Sequence, residues 1–392
     1  MERAVSGSRQ PVTGLFEAGQ DVRVVLIGFG GMGRQYAEIL AGGQAPGLIL
    51  QGICCRNAEG QALIREQYPQ TAIYRDTDDV FAHRDDFDAV VIATPHMTHV
   101  EIGKQALAAG KHVFCEKPVG VTSREVGELL AARQADTALA VMFNNRALPA
   151  FWKAKELLED HAIGQVTRAV WVCNNWFRSP VYHKSAPWRS SWRKEGGGLL
   201  INQCQHYLDI WQWLFGMPDA VDADLDFGKY NDFSVDDGAD IRFLYRKKGD
   251  SPAMRGSFIS ASGEHPGVNR LEIWGTGGKL TIDQGKSLVF DRNLVDIRQF
   301  NKENTEIYRQ PEHREEEVAL TEEKTPYVTM FQNFSRHLHT GEPLIAEGKD
   351  GLNAILLTNA AYLSAWTGEH VEFPMDEKRY EKMLAQRARE ED

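Results

Sequence analysis

Three side chains in this sequence could hold and deprotonate a carbon-bound hydroxyl: Lys117, Asn202 and His206. Lys117 stands in Cys115-Glu-Lys-Pro118, a short turn closed by proline, where its ammonium can donate to a reacting oxygen. His206 stands in Gly196-Gly-Gly-Leu-Leu-Ile-Asn-Gln-Cys-Gln-His206-Tyr-Leu-Asp209. Imidazole titrates near neutrality and suits proton transfer to or from a carbinol oxygen. The glycines lead into a predicted helix from about Leu199 to Phe215. At about 100° per residue, Leu200, Cys204, Leu208, Trp211 and Phe215 share an apolar face. Asn202, His206 and Asp209 stack on the opposite face, with Trp213. A polar stripe of Asn, His and Asp, without Lys or Glu, reads as a site rather than a solvated face.

A second pattern supplies a cofactor. Gly28-Phe29-Gly30-Gly-Met32-Gly33 follows an apolar run and precedes a helical stretch. In that position the first glycine permits the tight turn, the second lets backbone approach a pyrophosphate, and the third packs helix on strand. A nicotinamide dinucleotide is the implied ligand. An acidic residue about 20 positions further on would grip the ribose of NAD. Here the sequence has Cys55 and Arg56 instead, which leaves both NAD(H) and NADP(H) open. His83-Arg-Asp85 spells a kinase catalytic triplet, but Val90 stands where the metal-binding Asn belongs and no Asp-Phe-Gly follows.

Between these patterns lies a loop, Trp176 to Trp192, crowded with aromatic rings and cations. Aromatic faces suit the C–H faces of a sugar ring, and Arg and His suit its hydroxyls. Arg178, Tyr182 and Trp192 join Lys117, Asn202 and His206 as the expected substrate contacts.

The elements that must position these groups fall into two regimes. Val22–Ile27, Leu48–Cys54, Asp88–Ala93, His112–Cys115 and Ala138–Phe143 read as buried strands alternating with helices. That rhythm predicts an α/β fold with a doubly wound parallel Rossmann sheet over residues 21–145. From 146 to 392 the pattern changes. Gln165–Trp176, Ala239–Tyr245, Leu271–Trp274 and Lys279–Ile282 read as strands of an open, mostly antiparallel sheet. Helices at Tyr327–His339 and Asp350–Trp366 cover one face, making a second α/β domain. Glu315-Glu-Glu317 reads as a solvated loop, and residues 1–20 as a flexible extension.

Bulk properties narrow the partners. The net charge of −11 disfavours nucleic acid and anionic membranes. No apolar run approaches spanning length, and the first twenty residues lack a secretory apolar core. The five cysteines form no C-x-x-C pair, so no metal site is expected and reduced thiols in the cytoplasm are.

Together, Gly28-x-Gly30-x-x-Gly33, Ala93-Thr-Pro, Glu116-Lys117-Pro118, the Gly196-Gly-Gly lead-in with His206 and Asp209, and Leu271-Glu-Ile-Trp-Gly-Thr-x-Gly resemble the Gfo/Idh/MocA oxidoreductases. The likeness runs over nearly the whole chain after the first twenty residues. It implies a Rossmann domain, a C-terminal domain whose open sheet builds homo-oligomers, and catalysis by Lys117 and His206. It extends the cofactor-facing set to Thr94, Pro95, His96, Glu116, Lys117 and Asn144. Many members have Asp where Asn202 stands and Gly where Cys204 stands; Asn can orient a substrate but cannot act as a carboxylate. The aromatic loop with Asn202-Gln203 resembles the branch that oxidises the 3-hydroxyl of glycosides. The alternatives are an inositol or polyol dehydrogenase, a NAD-dependent glycoside hydrolase, and a non-catalytic dinucleotide-binding regulator.

Overall fold

The computed structural model describes residues 14–391 except 18, 248, 250–252 and 322–324. Six strands make the first sheet: β1 Val22–Ile27, β2 Leu48–Cys54, β3 Ala72–Tyr74, β4 Ala89–Ile92, β5 His112–Cys115 and β6 Leu139–Val141. All pair in parallel, in the order β3-β2-β1-β4-β5-β6. β1, β4 and β5 are buried almost throughout because helices cover both faces, which is why they are apolar without alternation. The strand order reverses between β1 and β4, so a crevice opens at their carboxyl ends. β3 was not predicted; three residues are too few to carry a period.

The second sheet has nine strands: β7 Val166–Cys173, β8 Ala220–Phe227, β9 Asp236–Tyr245, β10 Met254–Ala261, β11 Asn269–Gly275, β12 Gly278–Asp283, β13 Ser287–Asn293, β14 His313–Glu317 and β15 Val371–Glu372. Their order is β14-β13-β12-β11-β7-β10-β9-β8-β15. β7 and β10 pair in parallel and the other neighbours are antiparallel, as expected for a mostly antiparallel sheet. The predicted solvated loop at Glu315–Glu317 is instead part of the edge strand β14. An edge strand is wet on both sides and tolerates consecutive charges, so it leaves no hydrophobic signature. The helix Glu377–Glu390 was also unforeseen; it docks through buried Tyr380 and Leu384.

Two further features depart from the expected division. The helix Pro326–Thr340 packs Met330, Phe331, Phe334 and Leu338 into the core under the Rossmann sheet. Ala346 O then accepts the Val141 amide at 3.1 Å, covering the free edge of β6. At the other terminus, residues 1–13 lie outside the described residues. The last part of the expected flexible extension is anchored: the Leu15 amide donates to Leu338 O at 2.7 Å, and Phe16 packs against His112 and His339. Among the described residues, no helix is long and apolar enough to cross a membrane.

Candidate active site

The glycine turn does what its spacing predicts. Gly28 has φ +105°, and a Cβ there would lie 2.5 Å from Ala93 O. A Cβ at Gly33 would lie 2.1 Å from Gly28 O, so this glycine sets the approach of helix to strand rather than lining the cleft. A Cβ at Gly30 would meet nothing within 4 Å, so that side of the turn is open space. The helix Gly31–Ala41 starts with no side chain capping it, leaving its first amides for an anion. A dinucleotide pyrophosphate fits this cradle.

The turn opens on a cleft of about 1220 Å³. Of the expected cofactor contacts, Gly28, Phe29, Gly30, Met32, Cys55, Arg56, Thr94, Pro95, His96, Glu116 and Lys117 line it. Asn144 does not; it begins the turn after β6, buried, with its Oδ1 unpartnered. The ends of β2 and β3 add Asp76, which the sequence reading missed because β3 was not seen. His99 ties two cofactor-facing loops together: its ring nitrogens lie 2.7 Å from Thr94 O and 2.7 Å from Pro118 O.

Lys117, Asn202 and His206 all line the same cleft. Lys117 Nζ donates to Asn202 O at 2.9 Å and lies 3.5 Å from Asn202 Oδ1. Burial pushes the lysine below its ordinary value, while Glu116 and Glu195 pull it back up. The Lys117 amide donates to Glu116 Oε2 at 2.9 Å, and the Tyr36 hydroxyl donates to Glu116 Oε1. Burial holds His206 well below the usual imidazole value, helped by the Lys117 charge, so the ring is neutral at pH 7. Its Nδ1 has no partner in the protein.

Glu195 is a site residue that the sequence reading did not find. It is 2 % exposed and accepts from Asn202 Nδ2 at 2.5 Å and from the Ser190 amide at 2.5 Å. Burial raises its carboxyl to about 7. By accepting from Asn202 Nδ2, Glu195 holds that amide with its oxygen toward Lys117. The available signal was position, directly before the three glycines.

The glycines themselves are locked from below. Asp236 accepts from the Gly198 amide, the Leu200 amide and the Tyr362 hydroxyl, each at 2.7 Å. A Cβ at Gly197, where φ is +144°, would strike Tyr362 OH at 2.2 Å. The predicted single helix is broken into Leu199–Asn202 and Gln205–Phe215. Asp209 shares the second of these helices with His206 but does not share its cleft. It is fully buried and grips Arg146 with two hydrogen bonds, at 2.8 and 2.7 Å.

The aromatic loop divides. Arg178 and Tyr182 line the cleft as expected, joined by Trp176, Trp188, Arg189 and Gln203. Trp192 does not contact it. The ring is 2 % exposed, packs on Tyr362 and Trp366, and donates to Ser234 O at 3.1 Å. A large ring next to the β9 and C-terminal helix core gains more from burial there than from a wet cleft.

The family model described as "Oxidoreductase family, NAD-binding Rossmann fold" matches residues 22–143, and that of the "GFO/IDH/MocA C-terminal domain" matches residues 151–281. The chain belongs to the Gfo/Idh/MocA oxidoreductase family. The uncharacterized oxidoreductase YdgJ of Escherichia coli is 30% identical over 210 residues, 52% of this chain and 57% of that protein. The matched region thus spans little more than half of that relative. The myo-inositol 2-dehydrogenase of Thermotoga maritima is 25% identical over 348 residues, 87% of this chain and 95% of its own. A solved structure of levoglucosan dehydrogenase in complex with NADH and levoglucosan has the same fold, with TM-score 0.75 at 22% identity. It covers 91% of this chain and 100% of that one. The first domain of this member is an NAD-binding Rossmann domain.

Proposed function

We propose that the protein is a dehydrogenase for a secondary hydroxyl of a sugar, and that the carbon is C3 of a glycoside, exchanged with a 3-keto glycoside. The observation that carries this reading is the convergence of Lys117, Asn202 and His206 on one cleft, which the dinucleotide cradle shares. A bound NAD or NADP supplies hydride transfer. Lys117 Nζ donates to the reacting oxygen and stabilises charge that develops there. His206, neutral and with a free lone pair, takes the hydroxyl proton. Asn202, oriented by Glu195, holds Lys117 in place and offers its amide to a neighbouring hydroxyl. Trp176 and Trp188, which line the same cleft, offer ring surface to sugar C–H groups.

The names of the relatives, an inositol dehydrogenase and a levoglucosan dehydrogenase, support a sugar or polyol substrate. The near full-length match to the first keeps an inositol dehydrogenase as the second reading. Following nicotinamide absorbance with methyl glucoside, its 3-deoxy analogue and myo-inositol separates the two. Oxidation of the glucoside alone supports the 3-hydroxyl. Equal rates with the 3-deoxy compound overturn the position, and a preference for myo-inositol selects the second reading.

A further inference from the structure

Beside the reacting groups, the cleft wall carries two guanidiniums that the mechanism does not use. Arg178 lies with its Cζ 5.0 Å from the centroid of the Tyr182 ring, and Arg189 lies 4.3 Å from the same ring and 4.6 Å from that of Trp188. Stacking holds each planar cation in one orientation without neutralising it. Among the described residues, neither arginine forms an ion pair, and the Nε of each is buried with no partner. Glu195 is felt electrostatically by Arg189, but its oxygens are taken by Ser190 and Asn202. In a chain of net charge −11, two uncompensated cations in one cleft are a preference for an anion.

The hydroxyl between them points the same way. Tyr182 OH accepts from Arg189 Nη1 at 2.6 Å and from Gln203 Nε2 at 3.1 Å. Both of its lone pairs are used, so its own proton is left to donate. Arg178, Arg189 and the Tyr182 hydroxyl therefore offer only donors to whatever enters. The position is the substrate end of the cleft. Arg189 is close enough to lower both Lys117 and His96, and the Trp188 ring lies 5.0 Å from that of His96. The phosphate cradle at Gly28–Gly33 is built by other residues.

We propose that Arg178, Arg189 and Tyr182 bind an anionic group on the substrate, so that the preferred sugar is acidic, carrying a carboxylate or a phosphate. This rests on the reading of the protein as a sugar dehydrogenase. The two guanidiniums bind that group while Lys117 and His206 engage the hydroxyl.

The test compares methyl glucoside, methyl glucuronide and methyl glucoside 6-phosphate with the NAD-loaded protein. A kcat/KM about 10- to 100-fold higher for one charged member is expected, the size of a charge-assisted hydrogen-bonded contact. Whichever charged member leads identifies carboxylate or phosphate. Arg178→Gln and Arg189→Gln should each lower kcat/KM for that member more than for the neutral one, and Arg189→Lys should restore part of the loss. Cofactor affinity, measured by calorimetry, should not follow the same loss. A wild type that prefers the neutral glycoside, or arginine variants that lose cofactor affinity in step with activity, overturns the proposal. If no compound is oxidised, calorimetry with glucuronate and glucose 6-phosphate decides. Binding of either that Arg189→Gln removes keeps the anion site while the dehydrogenase reading falls, and binding of neither removes both.

Discussion

The helix Gln205–Phe215 presents two buried charge clusters a single turn apart, and they are built on opposite plans. On one side Asp209 receives two bonds from Arg146 and a third from Gln212, while Arg146 also meets Asp350 at 2.9 Å and donates to Ile345 O at 2.9 Å. Both partners there are saturated. On the other side His206 leaves Nδ1 unpartnered, and Lys117 Nζ makes one good bond, to Asn202 O at 2.9 Å. Both clusters shift the titration of their members. The difference is that one spends its polar atoms on the fold and the other leaves polar atoms unpaired beside the cleft. Burial of charge by itself therefore does not mark a site; unsatisfied polar atoms on a cleft wall do.

Substitution should separate the two sides cleanly. Lys117→Met and His206→Phe should each cut turnover about 10²–10⁴-fold, the usual size of an acid–base contribution, with urea midpoints close to wild type. Full turnover in His206→Phe removes it from the chemistry. Asp209→Ala should do the reverse. It removes the two-bonded carboxylate of buried Arg146 and leaves it only the carboxylate of Asp350, and should cost about 3 kcal/mol of stability by urea unfolding, with turnover per folded molecule largely kept. If Asp209→Ala is as stable as wild type but inactive, the saturated cluster is part of the site and the contrast fails.

Glu195 sits between the two plans, since it is buried like Asp209 but has no cation bonded to it. Its carboxyl titrates at about 7 rather than 4.5 because burial penalises the charge. The folded state thus keeps a proton that the unfolded state has already released. Its contribution to stability is fully present below about pH 4.5 and is lost as pH rises through about 7, a difference of ~3 kcal/mol. The low value of His206 works in the other direction and cancels when two proteins are compared. Urea unfolding at pH 5 and pH 8 should show less loss of stability in Glu195→Gln than in wild type. Parallel pH profiles for the two proteins would refute the assignment.

How far the sequence reaches follows the same division. The Rossmann half was legible because parallel strands covered on both faces are apolar runs, and because the turn needs glycine: a Cβ at Gly28 or Gly33 would strike a backbone oxygen. Lys117 and His206 were legible because each follows a backbone feature with few alternatives, a proline-closed turn and a glycine lead-in. Side-chain direction was not. Neighbourhood points to Trp192 and Asp209 as site residues, but Trp192 packs on Tyr362 and Trp366 and Asp209 on Arg146, both buried away from the cleft. Glu195 was not legible because a lone charged residue in a loop carries no period and no spacing, whereas Arg189 was, as one of the cations crowded into the aromatic loop. β14 and the helix Glu377–Glu390 hid for the related reason that elements wet on most sides need little apolar patterning.

The smallest effect belongs to the exposed end of the same cleft, where charge is neither saturated nor buried. Arg56 follows β2 and Asp76 follows β3, and both line the adenosine end beyond the glycine turn. Their charges act in opposite directions on a 2′-phosphate. Arg56→Ala should weaken NADP binding by about 1.5 kcal/mol and NAD binding by much less, because only NADP carries the group that the guanidinium can pair with. Asp76 caps the following helix through the Asp79 amide at 2.9 Å, so Asp76→Asn keeps an acceptor there while removing the charge. That variant should move NADP affinity upward and leave NAD nearly constant. Calorimetric titration of both nucleotides at low and high salt checks this, since contacts in open water fade as screening increases. If Arg56→Ala weakens NAD and NADP equally, the arginine stacks on the adenine. Selectivity would then have to come from Asp76 and Cys55, and the exposed end would resemble the packed regions more than the charged ones.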